Sequence, residues 1–267
     1  MSQLEKLKIT IRSPVLGGDI ERKLSHTPNM TQVILPNLRW LGLRGANAYA
    51  ETLLSCIAAP LLEKLDIIFS KKLSFSIPYL LHVVSPTEDL RFSRAKVKFN
   101  DRYVAVTVYL DTEAKVDTLS ILVFCSHISG QVTSASQILN TLRKLFSAAD
   151  GLILQSHLWS GPGWHDGAGR MLWRDLLRPF INVKTLRVSS RLVTWLSDAL
   201  QIDDEGSPIE LLPELAELSY SSRPSLDNAF VSFIETRRNA GRPVTLLRGW
   251  EVFRREVKQS TEWVGLA

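Results

Sequence analysis

The chain has 267 residues, of which 45% are hydrophobic and 22% are charged, and its formal net charge is +5. This composition is typical of a globular protein with a sizeable core and argues against intrinsic disorder. No apolar run approaches the ~18 residues that a membrane-spanning helix needs, and the first residues, MSQLEKLKITIRS, lack the apolar segment of a secretory signal. Only two cysteines, Cys56 and Cys125, are present, so we expect an intracellular protein of the cytoplasm or nucleus rather than a disulfide-bonded secreted one.

A short leucine motif recurs along the chain and predicts a series of β-strands. Residues 35–43 (LPNLRWLGL) and 212–220 (LPELAELSY) share the spacing L-x-x-L-x-x-L-x-φ, where φ is an apolar residue. Shorter versions begin at Leu4, Leu62 and Val183, and weaker ones centre on residues 90–92, 119–121 and 152–154. Because alternate residues of a strand point to the same face, each L-x-φ pair predicts a short strand with one buried face. Such a strand cannot bury its face alone, so the recurrence predicts stacked repeats that share one core.

The segments between these strands carry helical patterns. Apolar residues three or four positions apart predict helices over 48–57, 134–148, 168–177, 192–200 and 227–239. A serine near the start of the second is a plausible N-cap, and Gly241 is a plausible stop for the last.

Residues 95–110 depart from this pattern. They alternate strictly around the turn signal Asn100-Asp101, which predicts a β-hairpin inserted where a repeat would place a helix. The glycine-rich stretch 161–169 predicts a loop. The predicted fold class is therefore α/β: a leucine-rich-repeat-like solenoid over 1–249, with short parallel strands, irregular helical crossovers and one inserted β-hairpin. A C-terminal helical tail is predicted over 250–267.

The repeat region resembles the F-box/leucine-rich-repeat-like proteins, a large family of mushroom-forming fungi. The resemblance covers residues 4–248 and is carried by the L-P-x-L strands, by the phrase LLPEL at 211–215, and by the helix ending FIETRRNAGRPV at 233–244. It implies a substrate-recognition subunit of a cullin-type ubiquitin ligase. In that family an N-terminal F-box recruits the ligase, and here the first repeat begins at Leu4, so the resemblance concerns the repeats alone and a ligase adaptor would act in trans. The phrase LPEL at 212–215 is similar to the opening of an F-box, but its spacing favours a repeat strand.

Sequence motifs for catalysis are missing, so we predict a non-catalytic protein-binding module without metal or cofactor. His157, His165 and Asp166 could bind zinc or act as acid and base, but their spacing places no two of them on one helical face. The chain has no nucleophile elbow and no phosphate-binding glycine loop. The alternative interpretation is a nucleic-acid-binding protein that uses the basic segment 235–262, with Trp250 and Phe253 for stacking; a solvated basic face or a buried terminal helix would show the same pattern.

The residues that alternate with the buried leucines should form the binding face. The predicted contact residues are Lys6, Lys8, Trp40, Arg44, Lys64, Asp66, Arg187 and Glu217, joined by Thr185 and Ser219. Trp40 is the strongest single candidate, because tryptophan and arginine are over-represented in interface hot spots. A second candidate is the loop with Trp159 and Trp164. The first strand would form an unprotected sheet edge, to be covered by an upstream domain, a partner or a second copy.

Overall fold

A computed structural model describes residues 3–11, 32–45, 47–70, 80, 92–110, 117–157, 169–201, 211–220 and 228–248. Within these ranges the chain is an α/β protein with one large, mostly parallel sheet. The predicted C-terminal tail over 250–267, with Trp250 and Phe253, lies outside the described residues, as do Trp159, Trp164, His165 and Asp166.

Twelve strands and five α-helices make up the described part of the chain. The strands are β1 Lys6–Thr10, β2 Val33–Ile34, β3 Trp40–Gly45, β4 Ile57–Ala58, β5 Lys64–Phe69, β6 Phe92–Phe99, β7 Tyr103–Leu110, β8 Asp117–Phe124, β9 Gly151–Ser156, β10 Thr185–Val188, β11 Glu217–Tyr220 and β12 Thr245–Arg248. The helices are α1 Asn47–Cys56, α2 Ile128–Thr141, α3 Arg170–Leu177, α4 Val193–Leu200 and α5 Val231–Asn239. Two 3₁₀-helices, Arg143–Ala148 and Ser190–Leu192, follow α2 and precede α4.

Ten of the strands form one sheet in the order β1-β3-β5-β8-β7-β6-β9-β10-β11-β12. Every neighbouring pair is parallel except the two pairs that involve β7, which is antiparallel to both β6 and β8. The two short strands β2 and β4 pair with each other in a separate parallel ladder. Among the described strands, β1 and β12 stand at the two ends of the large sheet.

The strand predictions from the leucine motif are confirmed at β1, β3, β5, β8, β9, β10 and β11. The motif leucines are in register: Leu7 lies beside Leu41, Leu41 beside Leu65, and Leu65 beside Leu119. The apolar residues of the strands form one hydrophobic cluster with the buried sides of the helices. Burial of a common apolar face is the physical reason why these strands pair in this register.

The predicted hairpin at 95–110 forms, but its place in the fold differs from the expectation. β6 and β7 do not replace a helix on the surface of the sheet; they are central strands of the sheet itself. The chain passes from β5 to β6, returns through β7 and β8 until β8 lies beside β5, and then crosses to β9 on the other side of β6. α2 packs across β6 and β7 during that crossing.

The second predicted helix begins earlier than expected. α2 starts at Ile128, after His127 with its extended backbone, and its serines lie inside the helix, so a serine N-cap is wrong. Arg143–Ala148 form a 3₁₀-helix rather than a continuation of α2. The other helices agree with the predicted segments, and Gly241, with φ at +74°, follows α5 as expected for a helix stop. No helix in the described part of the chain has both the length and the apolar character to cross a membrane.

Candidate functional site

The strand residues that alternate with the core residues line the second side of the sheet, which we call the polar face. On β1, β3 and β5 the register places Lys6 beside Trp40 and Trp40 beside Lys64. One step further along the strands, Gly42 separates Lys8 from Asp66. The described helices bury their apolar sides in the cluster on the other side of the sheet. On this face Lys6, Lys8 and Arg44 of the outer strands are exposed, whereas Lys96 and Gln155 of the central strands are buried.

Trp40 is fixed on the polar face by two features of its neighbours. Its indole Nε1 donates a hydrogen bond to Asp66 Oδ2 at 2.6 Å. The ring lies across Gly42, where an added Cβ would come within 2.9 Å of the Trp40 Cη2 atom. Lys64 Nζ lies 3.8 Å from the same carboxylate oxygen of Asp66. The indole is half-buried in a defined orientation, an arrangement that lowers the entropy cost of contacting a partner.

The structure divides the eight predicted contact residues into two groups. Lys6, Lys8, Trp40, Arg44, Lys64 and Asp66 come together on β1, β3 and β5. Arg187 and Glu217 lie on β10 and β11, where the register pairs Arg187 with Ser219 and Thr185 with Glu217. Four strands separate β5 from β10, which at the usual spacing amounts to about 24 Å. The first group alone forms a contiguous patch around Trp40.

A second group on the polar face was not predicted from the sequence. Arg94, Lys96 and Lys98 alternate along β6, and we call these three residues with His157 the central basic cluster. Lys98 lies beside Gln155 of β9 in register, and the backbone N–H of His157 donates to Phe99 O at 3.0 Å. Charged residues at every second position of an otherwise apolar strand were the signal, because alternation in a strand places them on one face.

Burial and mutual repulsion act on the charges of this cluster. Lys96 is 9% exposed, although it belongs to the polar face. Burial lowers the pKa of Lys98, and the positive charge of Lys96 lowers it further. Burial also lowers the pKa of His157, with smaller contributions from Lys98 and then Lys96. Lys96, Lys98 and His157 therefore lie close enough to influence one another's protonation.

Gln155, which lies beside the cluster, and His157, which belongs to it, each have a polar atom with no hydrogen-bond partner among the described residues. The two atoms are Gln155 Oε1, on a side chain that is 5% exposed, and His157 Nε2. Buried polar atoms are normally paired, either with protein groups or with ordered water. The described residues contain no group of three or more histidine, cysteine or carboxylate side chains that could hold a metal ion.

The two cysteines have free thiols. Cys56 ends α1 and is buried, as expected for a small apolar side chain. Cys125 follows β8 and is only partly buried. Its Sγ lies 3.6 Å from His127 O.

Comparison of the chain with protein-family models, with curated proteins and with solved structures found no match in any of the three.

Proposed function

We propose that this chain is a non-catalytic protein-binding module whose polar face contacts the partner. The observation that carries the proposal is the position of Trp40, a half-buried indole oriented by Asp66 and surrounded by Lys6, Lys8 and Lys64. Tryptophan is over-represented among the few residues that supply most of the binding energy of protein interfaces. On this proposal the parallel strands belong to a leucine-rich-repeat-like solenoid, and the protein works in the cytoplasm or nucleus.

The sequence resemblance extends the proposal to the class of protein to which this binding module belongs. A leucine-rich-repeat surface of the F-box/leucine-rich-repeat-like kind would select the substrate of a cullin-type ubiquitin ligase, with a ligase adaptor supplied in trans. The L-P-x-L phrases at 35–38 and 212–215 support this class, because each precedes a strand of the large sheet. The partner on this proposal is a protein that is presented to the ligase.

Affinity capture with paired variants tests the binding-surface proposal. The full chain, a Trp40→Ala/Arg44→Ala variant and an Arg143→Ala/Lys144→Ala control would be used as baits in extracts of the cells that express the protein. Arg143 and Lys144 are exposed on the 3₁₀-helix after α2, away from the polar face. We expect a partner that the wild type and the control retain and that the polar-face variant loses.

Three results would decide the proposal. If the Trp40→Ala/Arg44→Ala variant retains every captured protein, the patch around Trp40 is not the binding surface. Loss of the same proteins by the control would show that capture does not depend on the polar face. A ligase adaptor among the specifically captured proteins would support the ubiquitin-ligase class, and its absence beside a specific partner would contradict that class while leaving the binding role.

A further inference from the structure

The outer edge of β1 has no strand partner among the described residues. On the inner edge, Glu5 O accepts hydrogen bonds from backbone N–H groups at the start of β3, and Ile11 N–H donates to a backbone carbonyl of β3. In a parallel ladder, residues that bond to one neighbouring strand alternate with residues whose N–H and C=O groups point the other way. The backbone groups of Lys6, Lys8 and Thr10 therefore point away from β3, where another strand could pair with them.

The lysines of β1 give this edge a charge preference. Lys6 and Lys8 lie on the polar face with exposed side chains, and neither forms an ion pair in the described part of the chain. Opposite charges that face each other on adjacent strands stabilise the pairing, whereas like charges destabilise it. The edge therefore favours a strand with carboxylates at alternate positions. It disfavours a second copy of β1, which would place lysines against lysines.

The other side of β1 leaves apolar surface incompletely covered. Leu7 and Ile9 pack against the core but are only half-buried, whereas their register partners on β3, Leu41 and Leu43, are 0% and 3% exposed. Among the described strands, β3 has a neighbour on both sides and β1 has one on one side. Apolar residues of an added strand would cover Leu7 and Ile9 as these two residues cover the leucines of β3.

A second exposed apolar pair lies on the same side of the fold. β2 precedes β3, and β4 precedes β5, by the same seven residues, counted from Val33 to Trp40 and from Ile57 to Lys64. The order of β2 and β4 therefore follows that of β3 and β5, so the outer edge of β2 lies on the side of β1. Val33 and Ile34 of β2 are 53% and 67% exposed. A partner that extends the sheet at β1 would meet further apolar surface there.

We infer that the outer edge of β1 binds an extended segment of the partner protein in which acidic and apolar residues alternate. The segment adds a strand to the sheet, and its backbone pairs with the outward N–H and C=O groups of β1. Its carboxylates face Lys6 and Lys8 on the polar face, and its apolar side chains cover Leu7 and Ile9. This inference rests on the proposed function, because it names the chemistry of the segment through which the partner reaches the patch around Trp40.

Fluorescence anisotropy tests the charge requirement on the full chain. The probe is a fluorescein-labelled peptide of alternating glutamate and valine, and its control has the same composition with the glutamates grouped at one end. Lys6→Glu/Lys8→Glu reverses the edge charges, and Arg143→Glu/Lys144→Glu makes the same charge change at exposed positions of the 3₁₀-helix after α2. We expect the wild type to prefer the alternating peptide, the edge variant to lose at least about tenfold in affinity, and the control to change less than about twofold.

A proline in β1 separates strand addition from charge. Thr10→Pro leaves the charge unchanged and removes an N–H that points away from β3, a position at which edge strands tolerate proline. The alternating peptide should bind this variant at least about tenfold more weakly, because the added strand loses a backbone partner and meets the proline ring. Thr10→Val, which keeps the N–H, should bind like the wild type. Full binding by Thr10→Pro, with a folded state established by circular dichroism, would overturn the inference.

Hydrogen exchange on the wild type decides the question if Thr10→Pro does not fold. Saturating alternating peptide should slow exchange of the Lys6, Lys8 and Thr10 amides, because an added strand would accept hydrogen bonds from them. Unchanged exchange at all three amides would overturn the inference.

The remaining outcomes separate strand addition from the proposed function. Equal weakening by both charge-reversal variants would overturn the inference, because binding would then follow net charge, and equal binding of the two peptides would overturn the alternating pattern. A dimer in sedimentation analysis that Thr10→Pro dissociates would assign the edge to a second copy instead. If the wild type does not bind the alternating peptide but Trp40→Ala/Arg44→Ala still loses the captured partner, the proposed function stands and only strand addition is wrong.

Discussion

At the level of single residues, the missing side chain of Gly42 determines where the Trp40 indole can lie. A Cβ at Gly42 would approach Trp40 Cη2 to 2.9 Å and Cζ2 to 3.0 Å, whereas its distance to Lys8 Cγ, 3.6 Å, is an ordinary contact. Gly42→Ala should therefore cost about 1–3 kcal/mol of unfolding free energy, as overpacking usually does. It should also weaken partner capture, because the indole must move from its hydrogen bond with Asp66.

A double-mutant cycle checks the cause of that effect. In the Trp40→Ala background the clash is absent, and alanine is favoured over glycine inside a strand by about 0.5–1 kcal/mol. Gly42→Ala should then be neutral or stabilising in urea unfolding. An equal loss of stability in both backgrounds would show that the indole is not what excludes a side chain at Gly42.

Arg237 is a buried charged residue that supports the turn before β11. It is 2% exposed, and its Nη2 donates to Pro213 O at 2.9 Å and to Leu215 O at 3.0 Å. Replacing it removes two charge-assisted hydrogen bonds from buried carbonyl groups, so Arg237→Met should lower the free energy of unfolding by about 2–4 kcal/mol. The neighbouring Arg238 is exposed, and Arg238→Met should change it by less than about 0.5 kcal/mol. Similar urea midpoints for the two variants would mean that the hydrogen bonds of Arg237 do not stabilise the turn before β11.

At the level of elements, Gln131 of α2 joins the helix to the β6–β7–β8 segment. The side chain has no exposed surface, and its Nε2 donates to Asn100 O and to Cys125 O, each at 2.7 Å. Gln131→Met keeps the length of the side chain but removes both donors. We expect a loss of about 1–3 kcal/mol in unfolding free energy, the cost of leaving buried acceptors unpaired.

Hydrogen exchange locates the effect of Gln131→Met. The amides of Asn100 and Cys125, which donate to Tyr103 O and Arg102 O, should exchange faster in the variant, because the turn between β6 and β7 loses its support. Asn140→Ala, an exposed change on the same helix, is the control. Unchanged exchange at Asn100 and Cys125 would contradict the role of Gln131 as the link between these elements.

The elements were largely predictable from the sequence, and their order in the sheet was not. The L-x-φ motif predicts the strands because burial of alternate residues is a local property of the chain. The hairpin at 95–110 is equally local, since alternation and the turn at Asn100-Asp101 define it. Its place between β5 and β9 depends on which strands pair across long separations, and no local pattern encodes that choice. Strand order also determines the distance between residues on the polar face. Alternation could therefore place Arg187 and Glu217 on that face, but it could not show that they lie far from Trp40.

At the level of the whole molecule, the candidate site depends on which charged side chains the fold brings together. Arg94, Lys96 and Lys98 lie on β6, a strand that could be predicted from the sequence. Their surroundings could not be predicted, because they depend on the pairing of β6 with β9, which brings Gln155 and His157 next to them. Burial and the neighbouring positive charges disfavour the charged forms of Lys98 and His157. The central basic cluster therefore has an energetic consequence that can be measured as a function of pH.

His157 provides that measurement, because burial and the nearby Lys98 and Lys96 hold its pKa below the ordinary value of 6.5. Between that lowered pKa and 6.5 the folded chain binds fewer protons than the unfolded chain, so stability rises with pH and is lost as the pH falls through this window. His157→Gln should therefore lose less stability than the wild type when urea unfolding is compared at about pH 7 and about pH 5. Parallel profiles for the wild type and His157→Gln would contradict this account, because they would mean that burial and the nearby lysines do not disfavour the protonated form of His157.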